Sequence, residues 1–244
     1  MNHPCQCTPL GDSALLLSFG DQISPKTNQI VHAAAKQLLK AEYAEVIEMV
    51  PAYTTLTVYY DPCQILSGTP YEILKEKILN TLQSIKVSET KPGNLIEIPV
   101  CYENEWAPDL EQVARHCHLS PEEVINLHTS AIYDVYFLGF APGFPFLGGM
   151  NKKLATPRLD NPRLKIPEGS VGIAGEQTGI YPLSTPGGWQ LIGHTPVPLV
   201  DFGSDSPTLI KPGDRIRFKT ISFEEHQEMG HIYPLDFKML LGDK

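Results

Sequence analysis

The segment from residue 136 to residue 201 carries glycine or proline every few positions, and this pattern constrains the fold more than any other feature of the chain. Glycine loses much backbone entropy on folding and proline lacks a donor, so a packed segment rich in both needs special turns or close backbone approaches. Large apolar residues between the breakers show that the segment packs: Phe137, Phe140, Phe144, Phe146, Ile173, Ile180, Tyr181, Trp189 and Ile192. Such a surface suits a binding site better than a plain scaffold.

The first half of the chain predicts a small α+β sandwich, with helices on one face of an antiparallel sheet. Apolar or β-branched runs predict strands at residues 14–19, 46–50 and 54–60. Ser24-Pro25 predicts one helix start, and Thr69-Pro70-Tyr71-Glu72 predicts a second with a capping box. The polar stretch 87–94, which contains Pro-Gly, is the best linker candidate.

The second half begins with the strand Leu95–Cys101 and two predicted helices. The first helix spans about residues 108–117, and the second begins at a capping box with Ser120 as its N-cap. Beyond residue 132, short strands alternate with Gly/Pro turns, which indicates a β-barrel or sandwich. Residues 215–219 alternate in polarity, as a half-exposed closing strand does.

Composition excludes several classes of function. The chain has 244 residues, a net charge of −9 and no Lys/Arg cluster, so we expect no binding to nucleic acid. It has no apolar run of membrane-spanning length and no signal peptide at its start, so we expect a cytoplasmic protein. Five irregularly spaced cysteines indicate reduced thiols rather than a disulfide framework.

We expect no metal site. Cys5-Gln6-Cys7 has no second cysteine pair to complete a site, and we interpret it as a loose tail. His116-Cys117-His118 lies near the end of a predicted helix, where adjacent residues point in different directions. The phosphate-loop signature and the Gly-x-Ser-x-Gly nucleophile elbow are also missing from the sequence.

Polar residues in the Gly/Pro-rich half are the candidates for substrate binding, and the catalytic residues stay unknown. An arginine fork suits a carboxylate or phosphate, although each arginine could instead fix a loop. A histidine after glycine could act as a general base, although a structural role is the commoner case. The predicted substrate-binding residues are Arg158, Arg163, Gln177, Gly187, Gly188, Gln190 and His194.

An apolar, proline-broken run follows residue 139 and fits neither a regular strand nor a helix. Core packing is one interpretation, and a groove for a partner's loop or an apolar-faced ligand is the other. The predicted partner-binding residues are Phe140, Pro142, Phe144, Pro145 and Phe146.

Long blocks of the second half resemble one family, the B subunits of the bacterial ATP-dependent 5-oxoprolinases. The blocks are FLGFAPGFPFLGG, ATPRL, IPEGSVGIAGEQTGIYPLSTPGGWQLIGHTP and KPGDRIRF. The same family includes inhibitors of a sporulation sensor histidine kinase and the first subunit of allophanate-hydrolase-type enzymes. His194 stands where the family pattern usually has arginine, which argues against a fixed catalytic base there.

The resemblance implies a ferredoxin-like α+β domain over residues 1–90 and a cyclophilin-like β-barrel over residues 91–244. It implies a non-autonomous subunit that, with the A and C subunits, converts 5-oxo-L-proline to L-glutamate with ATP hydrolysis. ATP would be bound by or shared with a partner subunit. The alternative is a protein that binds a sensor histidine kinase and blocks its autophosphorylation. An allophanate or urea-carboxylase component would need a biotin carrier or amidase partner.

For lactam opening, we hypothesise that Arg158 or Arg163 holds the substrate carboxylate and Gln190 orients the ring. Backbone amides of residues 172–179 and of Gly187-Gly188 would cradle the activated oxygen or a phosphate.

Overall fold

The computed structural model describes residues 5–83, 93–204 and 206–232. The chain divides into two compact units, Met1–Lys91 and Pro92–Lys244. Of the predicted linker at 87–94, only Gly93 and Asn94 are among the described residues.

The first unit is a four-stranded antiparallel sheet with two helices against one of its faces. The strands lie in the order β1-β2-β4-β3. Leu15 and Leu17 of β2 lie opposite Val58 and Leu56 of β4, and these four side chains are buried on the helix-covered face. The elements are β1 (Gln6–Pro9), β2 (Ala14–Ser18), α1 (Pro25–Lys40), β3 (Val46–Pro51), β4 (Thr55–Tyr60) and α2 (Pro70–Leu82).

Local sequence signals account for most of these elements. Ser24 caps α1, because its hydroxyl accepts a hydrogen bond from the Thr27 amide at 3.1 Å. The capping box predicted at Thr69 does not form: Thr69 is the N-cap of α2, but its side chain makes no capping hydrogen bond. Pro70 occupies the first helical position of α2, as the sequence predicts, and its fixed φ suits a helix start.

The interpretation of Cys5-Gln6-Cys7 as a loose tail is wrong. Residues Gln6–Pro9 form β1, which pairs with β2 at the edge of the sheet. Both thiols are half-buried, and burial raises the pKa of Cys5 to about 11, so that thiol stays protonated at neutral pH. Among the described residues, no group of three or more His, Cys, Asp or Glu side chains could hold a metal ion.

The second unit is a closed barrel of seven strands with helices and a two-stranded ribbon attached. The barrel order is β10-β7-β6-β13-β5-β12-β9, closing back on β10, and β11 pairs with β8 in the ribbon. The elements are β5 (Leu95–Cys101), α3 (Leu110–Cys117), α4 (Pro121–Thr129), β6 (Tyr133–Leu138), β7 (Pro145–Gly148), β8 (Arg163–Ile166), β9 (Ser170–Ala174), β10 (Gln177–Ile180), β11 (Thr185–Gly187), β12 (Gln190–His194), β13 (Arg215–Ile221) and α5 (Phe223–Ile232).

The predicted capping box at Ser120 is confirmed. The Ser120 hydroxyl accepts from the Glu123 amide at 3.1 Å, and the Glu123 carboxylate accepts from the Ser120 amide at 2.7 Å. The closing strand extends to Ile221 and runs parallel to β5 across seven residue pairs. The mixed α+β class and the barrel predicted for the second half are therefore confirmed.

A polar network lies inside the second unit, where helix α4 meets the barrel. His128 is fully buried, and its ring nitrogens lie 2.8 Å from the Tyr102 hydroxyl and 2.9 Å from the Thr178 hydroxyl. Thr178 in turn donates to the Gly172 carbonyl at 3.0 Å, so His128 donates from Nε2 and accepts at Nδ1. Burial lowers the pKa of His128 to about 3, so the ring is neutral and the network is structural.

No helix among the described ranges combines the length and apolar character needed to cross a bilayer.

Candidate functional site

Two pockets adjoin in the Gly/Pro-rich half, and they share Arg158. The first, called the aromatic pocket, has a volume of about 340 Å³. Its walls come from the β6–β7 loop and β7, the loop before β8, Tyr181 after β10, and strand β11 with the two residues that follow it. The lining residues are Phe140, Phe144, Phe146, Arg158, Pro162, Tyr181, Pro186, Gly187, Gly188 and Trp189.

The inner wall of the aromatic pocket is rigid. Phe144 lies edge-on to Tyr181 at a centroid distance of 5.4 Å and to Trp189 at 5.5 Å, and all three rings are buried. Edge-to-face contacts of this kind fix ring orientations. Glycine is required at position 187, because a Cβ there would lie 2.6 Å from the Tyr181 hydroxyl. Burial raises the pKa of Tyr181 to about 12, which keeps the hydroxyl protonated.

The five residues predicted to bind a partner occupy different environments. Phe144 and Pro145 are buried, Phe146 is half-buried, and Phe140 and Pro142 are exposed. Three of them, Phe140, Phe144 and Phe146, line the aromatic pocket. Core packing and a surface feature were the two alternatives from the sequence, and the structure shows both within residues 140–146, which cover the β6–β7 loop and the start of β7.

The second pocket, called the polar pocket, lies beside helix α3 and has a volume of about 400 Å³. Gln190, at the start of β12, is 2% exposed, and its Nε2 donates to the Pro157 carbonyl at 3.0 Å. Its Oε1 is buried without a hydrogen-bond partner among the described residues. The lining residues are Gln112, His116, Thr156, Pro157, Arg158, Leu159, Asp160, Asn161 and Gln190.

The backbone around Arg158 is held in place while its side chain is free. Thr156 and Gly175 exchange two backbone hydrogen bonds, at 3.2 and 2.7 Å, and the Leu159 amide donates to the Gly188 carbonyl at 2.7 Å. The exposed Arg158 guanidinium forms no hydrogen bond or ion pair with any described residue. An anchored arginine without a protein partner is available to bind an anion.

Arg163 is engaged elsewhere and does not line either pocket. Its Nη2 donates to Asp109 Oδ1 at 2.7 Å, and Asp109 Oδ2 accepts from the Leu191 amide at 2.6 Å. Asp109 is 5% exposed, so this pair ties the start of α3 to β12 and β8. Of the two arginines offered as carboxylate ligands, the structure leaves Arg158 free and gives Arg163 a structural role.

His194 lies away from both pockets and its contacts are structural. One ring nitrogen lies 2.8 Å from His226 Nε2, and the other lies 2.6 Å from the Glu168 carbonyl. The ring also packs on Trp106 at a centroid distance of 4.1 Å. Burial lowers the pKa of His194 to about 4, so it is neutral at pH 7 but has both nitrogens occupied.

Of the remaining predicted substrate-binding residues, some line a pocket and one does not. Gly187 and Gly188 line the aromatic pocket, whereas Gln177 is half-buried at the start of β10 and lines neither pocket. The hypothesis that amides of residues 172–179 cradle an oxyanion is wrong for the paired part of that segment. Strand β9 is flanked by β10 and β12, so these backbone groups serve strand pairing.

Sequence reasoning missed Asp109 entirely, and of the loop 156–161, which lines the polar pocket, it singled out only Arg158. Asp109 lies 54 residues from Arg163 and 82 from Leu191, so no local spacing pattern connects them. The repeated motif Thr156-Pro-Arg-Leu and Asn161-Pro-Arg-Leu was the available signal for the loop, because each proline fixes the backbone next to an arginine.

Comparison with known proteins gives the family. Residues 5–210 match the family described as carboxyltransferase domain, subdomain C and D. The 5-oxoprolinase B subunit of Bacillus subtilis (strain 168) is 48% identical over 227 residues, which cover 91% of this chain and 95% of that protein. The chain belongs to the family of 5-oxoprolinase B subunits. Another family relative, the B subunit of Escherichia coli O157:H7, is 40% identical over 87% of this chain and 94% of its own length.

Solved structures agree with the fold of this family member. A conserved uncharacterized protein from Pyrococcus horikoshii is 45% identical, with a TM-score of 0.54 over 91% of this chain and all of that one. The urea amidolyase of K. lactis has a TM-score of 0.76 over 92% of this chain and 15% of its own, at 19% identity, so this likeness concerns the fold alone.

Proposed function

We propose that this chain is a non-autonomous subunit of an ATP-dependent 5-oxoprolinase, which converts 5-oxo-L-proline to L-glutamate. The observation that carries the proposal is its family membership, with 48% identity to a 5-oxoprolinase B subunit over nearly the full length of both chains. The geometry adds that Arg158, which has no protein partner among the described residues, lines one pocket together with Gln190.

The chemistry of the substrate matches these two groups. 5-Oxoproline is a five-membered lactam that carries one carboxylate and one ring N–H. Arg158 pairs with the carboxylate, because its guanidinium has no protein partner among the described residues. Gln190 lines the same pocket, and in this proposal its side-chain amide orients the lactam ring. The lactam therefore lies in the polar pocket, with its carboxylate toward Arg158.

Other subunits complete the reaction in this proposal. ATP supplies activation of the lactam oxygen, and we assign its site to a partner subunit or a shared surface, because the sequence has no phosphate-loop signature. The A and C subunits are the proposed partners, in a cytoplasmic complex. The α+β sandwich and the seven-stranded barrel support ferredoxin-like and cyclophilin-like assignments for the two units.

The substrate assignment is tested by turnover of 5-oxoproline in the enzyme reconstituted with the A and C subunits. Arg158→Ala should raise the KM by roughly tenfold or more, because a charge-assisted pair is lost. Gln190→Ala should also reduce kcat/KM, because the ring is no longer oriented. Arg217→Ala is the matched control, since Arg217 is exposed and pairs only with Glu97 at 3.4 Å. If neither Arg158→Ala nor Gln190→Ala changed the kinetics, this substrate site would be refuted.

The reaction itself is tested in the cell. A strain lacking this gene should fail to grow on 5-oxoproline as sole nitrogen source, and the intact gene should restore growth. Normal growth of the deletion strain, with co-purification of a sensor histidine kinase instead of the A and C subunits, would favour the kinase-inhibitor alternative.

A further inference from the structure

The proposed reaction takes place in the polar pocket and does not use the aromatic pocket, although aromatic rings form much of the aromatic pocket's wall. Phe144, Tyr181 and Trp189 form its fixed inner wall, and Phe146 is stacked on Phe137 at 4.4 Å. A cavity of ~150 Å³ lined by apolar side chains holds benzene. A volume of about 340 Å³ therefore accommodates one aromatic ring with a short substituent.

The charge of the lining defines the substituent. Of the residues that line the aromatic pocket, Arg158 alone is ionised at neutral pH, and none of them is acidic. A ligand with an ammonium group would find no counter-ion among these residues, whereas a carboxylate would pair with the free guanidinium. The edge-to-face wall of Phe144, Tyr181 and Trp189 also favours an aromatic acid over an aliphatic one, because a ligand ring can make the same ring contacts.

The mouth of the pocket carries a strained residue. Phe140 has a φ of +67°, in the left-handed region that residues other than Gly, Asn and Asp rarely adopt, and the residue is 70% exposed. The loop is anchored beside it, because Gly143 also has a positive φ and a Cβ there would lie 2.2 Å from Val200 Cγ2. Strain of this kind persists where the surrounding structure enforces it, and it clusters at ligand sites. Here it holds an exposed ring next to Phe144, at 5.5 Å, over the pocket.

We propose that the aromatic pocket is a second ligand site, which binds a small aromatic monocarboxylate with its ring against Trp189 and its carboxylate on Arg158. Because the two pockets share Arg158, this ligand and the 5-oxoproline carboxylate exclude each other. Aromatic acids would thus act as competitive inhibitors of the proposed enzyme. The competition rests on the proposed function, but the binding itself does not.

Binding is tested on the full chain with phenylacetate as the probe. Trp106→Phe leaves Trp189 as the only tryptophan, so its fluorescence reports the aromatic pocket. Phenylacetate should change this fluorescence saturably, and phenylacetamide and acetate should bind at least about tenfold more weakly, because each lacks the carboxylate or the ring. Arg158→Gln should weaken phenylacetate about tenfold and Phe140→Ala several-fold, whereas Arg217→Gln should have no effect.

Two outcomes would overturn the site: no saturable response to phenylacetate at millimolar concentration, or equal affinity for phenylacetate and phenylacetamide. The competition is tested separately in the reconstituted enzyme, where phenylacetate should raise the KM for 5-oxoproline without changing kcat. Gln190→Ala should leave phenylacetate binding intact while impairing 5-oxoproline turnover. An enzyme without 5-oxoproline turnover would refute the proposed function and leave the phenylacetate result standing.

Discussion

The tie between Asp109 and Arg163 gives the sharpest test of how the candidate site is held together. Asp109 accepts two short hydrogen bonds, at 2.7 Å from the Arg163 guanidinium and at 2.6 Å from the Leu191 amide. The substitution is Asp109→Ala, which removes both acceptors and leaves a partly buried guanidinium without a counter-charge.

The size of the effect follows from burial. The Asp109 side chain is 7% exposed and that of Arg163 is 31% exposed, so the pair is far better shielded than a surface ion pair. Loss of one partner of a buried pair costs about 3–5 kcal/mol, and a surface pair contributes less than about 1 kcal/mol. Because Arg163 is not fully buried, we expect a loss of about 3 kcal/mol. Asp109→Asn should lose about half of that, because it keeps an acceptor for the Leu191 amide.

Urea unfolding followed by tryptophan fluorescence is the appropriate assay. Both tryptophans, Trp106 and Trp189, lie in the second unit, so the signal reports that unit alone. Glu97→Ala is the matched control, because Glu97 and Arg217 form an exposed pair at 3.4 Å with side chains 53% and 43% exposed. That control should lose less than about 1 kcal/mol. Equal, small losses in Asp109→Ala and Glu97→Ala would refute the structural role given to Asp109.

Three further predictions concern other parts of the fold. The pKa of His128 is lowered to about 3, so as pH falls the unfolded chain binds a proton at this histidine before the folded protein does. The free energy of unfolding should therefore fall between about pH 6.5 and pH 3, by up to roughly 1.4 kcal/mol per pH unit. Urea midpoints measured against pH should show this slope, and His128→Gln should reduce it. Ser120→Ala should cost about 1 kcal/mol in thermal or urea unfolding, whereas Thr69→Ala should cost almost nothing, because only Ser120 makes the capping hydrogen bond. Gly187→Ala should destabilise the protein by about 1–3 kcal/mol, because the new Cβ would clash with a tyrosine hydroxyl and an isoleucine methyl. Gly230→Ala is the control: this glycine lies on helix α5 with open space around it, so the change should be neutral or slightly stabilising. Equal effects of the two changes on unfolding would contradict the close packing at Gly187.

Local sequence signals predicted most of the elements, because they act over a few residues. Ser24 and Ser120 each precede a proline and a helical pattern, and both form caps. Thr69 has the same motif and forms no capping bond, so composition at a helix start does not settle side-chain geometry. The edge strand around Cys7 was missed because an exposed, polar strand lacks the alternation that marks a half-buried one.

The sequence predicted several residues of the candidate site, but it did not predict which side chains form ion pairs with each other. Arg158, Gln190, Gly187 and Gly188 do meet around two adjoining pockets. The engagement of Arg163 with Asp109 depends on a contact across 54 residues, which no spacing rule reveals. Such long-range pairs decide which of two similar arginines stays free to bind a ligand.

The parallel pairing of β5 with β13 makes folding of the second unit a late event during synthesis. These are the first and last strands of the barrel, and Glu97 and Arg217, which face each other across them, are 120 residues apart. Contacts this distant raise the contact order and slow folding, because a long loop must close before they form. During synthesis on the ribosome, β5 cannot pair fully with β13 until residue 221 has been added. A nascent chain that ends before residue 221 therefore exposes an unpaired edge of a barrel strand, which can aggregate.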